Sequence, residues 1–167
     1  GNDGLSGLSG TVNVTGGNVY TLRVRQVSLT IGGNGVVALT FDAPAGTNIN
    51  SRTGALNITG SGKLDLSDKR MILPGGADVG SWNGSGYTGI TGLVQSGRNG
   101  GPPGSIWAGS GIVTSQSAAA TGLTGIAVAR AGDALGFSSG SAVWSGEFVS
   151  ANAVLIMYTY AGDANLD

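Results

Sequence analysis

The chain has 167 residues, 33 of them Gly, about three times the usual share of roughly 7%; with two Lys and one Glu to dress exposed helices, helix is the minority state. A hydrophobic fraction of 40% and a mean hydropathy of +0.18 are too apolar for disorder, and the length suits one domain with a core that needs no staples. The formal net charge of -1 and the absence of His and Cys argue against a nucleic-acid partner, histidine acid–base chemistry, thiolate nucleophiles, disulfides and zinc fingers. No apolar run is long enough for a membrane-spanning helix.

Gly1 to Gly10 read as a flexible leader of Gly, Leu and Ser, in which Leu5 and Leu8 could pair with the open sheet edge of a neighbouring copy. From Thr11 onward come short β-type runs: Thr11 to Thr15, Val19 to Ile31, Val36 to Phe41, Ala55 to Thr59, Lys63 to Leu66 and Arg70 to Leu73. In the second run Leu22, Val24, Val27, Leu29 and Ile31 alternate with polar residues, with one phase slip at Gln26 that predicts a bulge or a corner. Gly16-Gly17-Asn18, Gly32-Gly33-Asn34-Gly35 and Gly60-Ser61-Gly62 supply turns or solenoid corners. A loose "Gly, aliphatic, polar, aliphatic" phrase recurs in Gly10 to Val14, Gly54 to Ile58 and Gly62 to Leu66. The predicted class is therefore all-β in the main. Residues 11–76 read as a β-solenoid-like stack, with an antiparallel β-sandwich as the alternative.

Residues 77–161 read as a loop-rich cap and final strands of the same domain. Ile90, Leu93 and Val94 predict one short helix near residues 88–97, ended by Gly97 or by Asn99-Gly100-Gly101. Strand-like runs follow at Gly125 to Ala131 and Ala153 to Tyr160, the latter apolar on both faces, as in a central strand or an edge that needs a partner. Val154, Ile156 and Tyr158 are accordingly candidates for self-association, beside Leu5 and Leu8.

Little in the chain points to catalysis. Asp65 and Asp68 read as turn formers rather than a glycosidase pair, and no Ser has a His to activate it. Arg23, Arg25 and Arg52 with Asp42 are the only acid–base grouping in sight, and a solvated outer strand face explains the arginines. No catalytic residue is assigned. Trp82, Tyr87 and Trp107, set among Gly, Pro and Asn, are candidates for a glycan platform, or else anchors of Gly-rich loops.

At the C-terminus, Gly162-Asp163-Ala164-Asn165-Leu166-Asp167 places side-chain oxygens at positions one, three and five of a calcium loop, which the sequence leaves before its Gly and its bidentate acid. Residues 162–167 are read as the truncated start of such a loop, with Asp163, Asn165 and Asp167 as candidate ligands. No cofactor is required by the body itself, and calcium belongs to a longer parent. The chain starts without Met or a signal peptide and reads as a mature or trimmed fragment.

That hexapeptide and the strand before it, together with Gly62-Lys-Leu-Asp-Leu-Ser-Asp68, Ser81-Trp-Asn-Gly84, Trp107 to Ser115 and Gly125 to Gly136, resemble the Gly-rich, autotransporter-like region preceding a dockerin-type repeat in large secreted bacterial surface proteins. The resemblance covers about residues 60 to 167. It implies export to the exterior or cell surface of a bacterium, a β-rich body and calcium at the dockerin, and it implies no catalytic residue. The expected function is a non-catalytic structural subunit of a surface layer or fibre, a homo-oligomer or polymer joined through β-edges. The alternative is an accessory module that binds polysaccharide.

Overall fold

The computed structural model describes residues 8–40, 42, 45, 49–99, 105–163 and 165–166. Seven strands open the chain: β1 (Thr11–Val14), β2 (Asn18–Thr21), β3 (Arg25–Ile31), β4 (Val36–Leu39), β5 (Ser51–Ile58), β6 (Lys63–Asp65) and β7 (Arg70–Leu73). They are followed by helix α1 (Gly89–Arg98), β8 (Gly111–Val113), α2 (Ser117–Ala120), β9 (Thr124–Arg130), α3 (Ala131–Leu135), β10 (Ser141–Trp144), β11 (Glu147–Ser150) and β12 (Val154–Tyr160).

Odd and even strands separate into two sheets. β1, β3, β5 and β7 run parallel in one, and β2, β4, β6 and β8 run parallel in the other. The chain therefore passes from sheet to sheet and advances one strand per coil, the connectivity of a parallel β-solenoid. A sandwich would pair its strands antiparallel, so the solenoid alternative is the one realised for residues 11–76. Within each sheet like residues stack on like. Val12, Leu29 and Leu56 form one ladder, and Val14, Ile31 and Ile58 another. Val19, Val37, Leu64 and Ile112 form a third on the facing sheet. Leu29, Ile31, Val37, Leu64 and Ile112 are essentially fully buried, and each such side chain stabilises the fold by about 1.5–3 kcal/mol.

The run Val19 to Ile31 is two strands, because residues 22–24 turn the corner between the sheets. The phase slip lies just beyond that corner: the β3–β5 register passes from Gln26 to Ser28, and Val27 is exposed.

Beyond β7 the first sheet continues in antiparallel fashion with β12 and then β9. β12 is a central strand, and its two apolar faces serve two cores. Val154 and Ile156 join the solenoid core with Met71 and Leu73, whereas Leu155 and Met157 join a second core with Ile72, Trp144, Val149 and Leu166. Val154 and Ile156 are fully buried and β12 is paired along both sides. This corrects the reading of these residues as self-association contacts: their apolar surface is already spent on intramolecular packing.

Helix α1 forms where its apolar spacing predicts. Ile90 and Val94 are buried, and Asn99 ends the helix in the left-handed conformation with φ 47°. Gly97 lies inside the helix and is there for contact, since a Cβ at this position would stand 1.9 Å from the carbonyl oxygen of Ile112 on β8. Gly97→Ala is expected to lift α1 from β8 and cost about 1–3 kcal/mol, measured as a lower denaturation midpoint with loss of amide-exchange protection confined to α1 and β8. Among the described residues no helix is long and apolar enough to cross a membrane.

Candidate functional site

β5 pairs with β3 over most of its length, but with β7 only at Ser51 and Arg52. The sequence after β7 explains the mismatch. Pro74 has no N–H to continue a ladder, and Gly75 and Gly76, at φ 76° and 81°, carry the chain away from the sheet. The place of a fourth-coil strand above Gly54–Ile58 is thus left empty by β7, and among the described residues that edge of β5 has no strand partner. A cavity of about 530 Å³ occupies the place, bounded by Leu56, Ile58 and Leu73, by the loop Gly75–Asp78 and by Ile90 and Leu93 of α1. Asp78 fastens the far wall. Its carbonyl accepts the Ile90 N–H at 2.9 Å and its carboxylate accepts the Gly80 N–H at 3.0 Å.

The two ends of the solenoid differ. At the C-terminal end α1 packs on β8, and β12 and β9 extend the first sheet. At the N-terminal end β1 and β2 are the outermost strands of their sheets. The aliphatic ladder on the β2 side finishes in Val19, 41% exposed where its partner Val37 is 1% exposed, and Tyr20 beside it is 56% exposed. Among the described residues this edge has no strand partner, and an edge of that kind presents N–H and C=O groups over apolar side chains.

Trp82 and Tyr87 meet across a short antiparallel bridge, with ring centroids 5.3 Å apart and an edge-on angle of 65°. Both rings are exposed. The Asn83 side-chain oxygen accepts the N–H groups of Ser85 and Gly86, and the Gln95 side-chain oxygen accepts that of Tyr87, so the loop is tied to α1. Trp107 does not belong with them. It is buried in the solenoid core, against Gly125, which corrects its reading as a surface glycan contact; among the described residues its indole N–H has no hydrogen-bond partner.

Of the arginines expected on a solvated strand face, Arg23 is exposed, but Arg25 is half-buried and Arg52 is buried. Glu147 on β11 pairs with Arg25 at 2.7 Å and with Arg52 at 3.4 Å. Arg52 also donates to the Phe148 carbonyl, and Asn50 to the Ser145 carbonyl at 2.6 Å. Burial holds the Arg52 pKa below the usual guanidinium range; Arg25 acts in the same direction, and Glu147 opposes both. The cluster clamps the β10–β11 hairpin to the side of the solenoid. Asp42 stands apart, 3.6 Å from Lys69. Asp65 accepts the N–H groups of Ser67 and Ser115 and so holds a turn.

Of the other candidates, Leu5 and Asp167 lie outside the described residues, and Leu8 is half-buried. Tyr158 is partly buried, its hydroxyl 2.7 Å from that of Thr124. Asn165 is exposed. The Asp163 carboxylate accepts the Thr159 hydroxyl at 2.6 Å and the Leu166 N–H at 2.9 Å, and among the described residues no group of three or more acids could hold a metal ion. The bond from Thr159, with smaller help from the Leu166 and Asn165 N–H groups, keeps the Asp163 pKa below its ordinary value against a modest desolvation. The folded state therefore favours the carboxylate. The turn's contribution to stability is present above the ordinary pKa of about 3.9 and is lost as pH falls through the lower folded value. Since the Trp144 indole N–H donates to the Leu166 carbonyl at 2.8 Å, acid is expected to shift Trp144 fluorescence in that window. Asp163→Asn should show the shifted signal at neutral pH.

Compared with family models, with curated proteins and with solved structures, the chain matches none of them.

Proposed function

We propose that the chain is a non-catalytic structural unit of a bacterial cell surface or extracellular layer, joined to copies of itself through β-edges. The observation that carries this reading is the open first coil. Val19 and Tyr20 end an otherwise buried stack at a strand edge that has no partner among the described residues, and a coil laid on it would bury them as Val37 and Ala38 are buried in the next coil. A charge fraction of 10% adds little repulsion between copies. Sedimentation velocity and electron microscopy over a range of concentrations test it: filaments or sheets that grow with concentration and survive calcium chelation are expected. Monomers at every concentration would overturn it.

The exposed pair Trp82 and Tyr87 supports a second reading, polysaccharide binding, because aromatic faces of this kind stack on the apolar faces of sugars. An oligosaccharide that quenches Trp82 emission in the native chain, and fails to do so in Tyr87→Ala, would favour it.

A further inference from the structure

The exposed pair Trp82 and Tyr87 and the cavity beside β5 share one wall, and, resting on the polysaccharide reading above, we infer that together they bind an uncharged glycan whose sugar units carry acetamido groups. The shared wall is a two-stranded stem. Asp78, Gly89 and Ile90 bound the cavity, and the Asp78 carbonyl accepts the Ile90 N–H at 2.9 Å. Gly89 fits there because it lacks a side chain, since a Cβ would stand 2.4 Å from that same carbonyl oxygen. From this contact the two segments run side by side. The Ser81 carbonyl accepts the Thr88 N–H at 2.9 Å, the Thr88 hydroxyl accepts the Ser81 N–H at 3.0 Å, and Trp82 bridges Tyr87. Tyr87 is two residues from Gly89, so its Cα stands within about 7 Å of the cavity wall at roughly 3.4 Å per residue.

The lining of the cavity selects the ligand. At about 530 Å³ it falls within the roughly 300–1,000 Å³ common to small-ligand sites. Leu56, Ile58, Leu73, Ile90 and Leu93 give it an aliphatic interior, while Asn57 and Asp78 are exposed and bring polar groups to the rim. Gly75 and Gly76 leave open space where side chains would stand, so the rim is accessible. A sugar whose only substituents are hydroxyls would lose water from them against the aliphatic wall without gaining hydrogen bonds. An acetamido group suits the same wall: its methyl buries apolar surface against Leu56 and Ile58, and its N–H and C=O meet Asp78 and Asn57 at the rim. Charge narrows the class further. Among the described residues that line the cavity Asp78 alone is charged, and residues 82–87 carry no charge. A carboxylated or sulfated glycan would meet a like charge here and no cation.

The full-length chain is titrated by calorimetry with three tetrasaccharides of the same β-1,4 linkage, built from N-acetylglucosamine, glucosamine and glucose. Binding of the acetylated one at least ten-fold tighter than of either other is expected, and in saturation-transfer NMR its methyl protons should receive the largest saturation. Asn57→Ala is expected to cut the preference at least three-fold and to leave the denaturation midpoint as it is, because Asn57 is exposed. A preference that survives Asn57→Ala undiminished would overturn the placement of the acetamido group in the cavity. If all three glycans bind alike and only Tyr87→Ala weakens them, the pair binds glycan without the cavity and the polysaccharide reading stands alone. If the glucosamine glycan binds best, the carboxylate of Asp78 and not the aliphatic interior selects, and the acetamido assignment is overturned. If none binds, that assignment and the polysaccharide reading both fall.

Discussion

Glu147→Gln is expected to destabilise the fold by about 3 kcal/mol, read as a fall in the denaturation midpoint together with a red shift of Trp144 emission. Arg52, whose side chain is 7% exposed, would keep its charge and lose the Glu147 carboxylate, and removing one partner of a buried ion pair costs more than the pair was worth. The damage should be local. Ser145, Glu147 and Phe148 carry the polar contacts of the hairpin to the solenoid, and Trp144, buried at 4% exposure in the second core, sits on that same hairpin. A second substitution separates charge from shape: Glu147→Gln with Arg52→Met is expected to recover part of the loss, because it removes the buried cation together with the carboxylate. If the single variant keeps both the native midpoint and the native emission, the clamp contributes nothing and the hairpin is held by Trp144 and Val149 alone.

The second large effect is a contrast along one ladder. Leu64→Ala should cost about 3–4 kcal/mol, the sum of lost burial and a cavity that neighbours on four coils cannot collapse into. Leu64 is fully buried between Val37 and Ile112. Val19→Ala, at the end of the same ladder, should cost under about 1 kcal/mol in dilute solution, since a side chain 41% exposed has less burial to lose. The order reverses for assembly. Val19→Lys is expected to leave the midpoint of the dilute protein almost unchanged and to abolish the concentration-dependent species seen by sedimentation. Assembly that is indifferent to this charge would show that the first coil is not an interface.

What the sequence disclosed of this fold was its local part. The β-type runs at Val36 to Leu39 and Arg70 to Leu73, the i, i+3, i+4 spacing of Ile90, Leu93 and Val94 and the two apolar faces of Val154 to Met157 all report on neighbours a few residues away, and the corresponding elements are present. Which sheet each strand joins is set by corners such as the one at residues 22–24, and composition alone left solenoid and sandwich open. The clamp was illegible for a different reason. Arg25 and Glu147 are 122 positions apart, and an arginine on a strand gives no local sign that a distant carboxylate will cover it. Trp107 shows the limit for aromatic residues in Gly-rich text: Trp82 and Trp107 have similar neighbours in sequence, yet one is 56% exposed and the other 8%. The cavity beside β5 was half legible. The run that ends at Leu73 was legible, but only the greater length of β5 leaves a strand position unfilled among the described residues.

The stacked register has a bearing on how such a chain can change over time. Thr11 faces Ser28, and Ser28 faces Ala55, so the second coil is longer than the first. The sheets absorb the difference without losing alignment. Because each coil touches mainly the coils above and below it, a whole coil could be duplicated or lost between the first and the fourth while the exposed end and the capped end stay as they are. Body length and the chemistry of the two ends are therefore separately heritable traits, and lineages could lengthen or shorten the rod without reinventing what it joins.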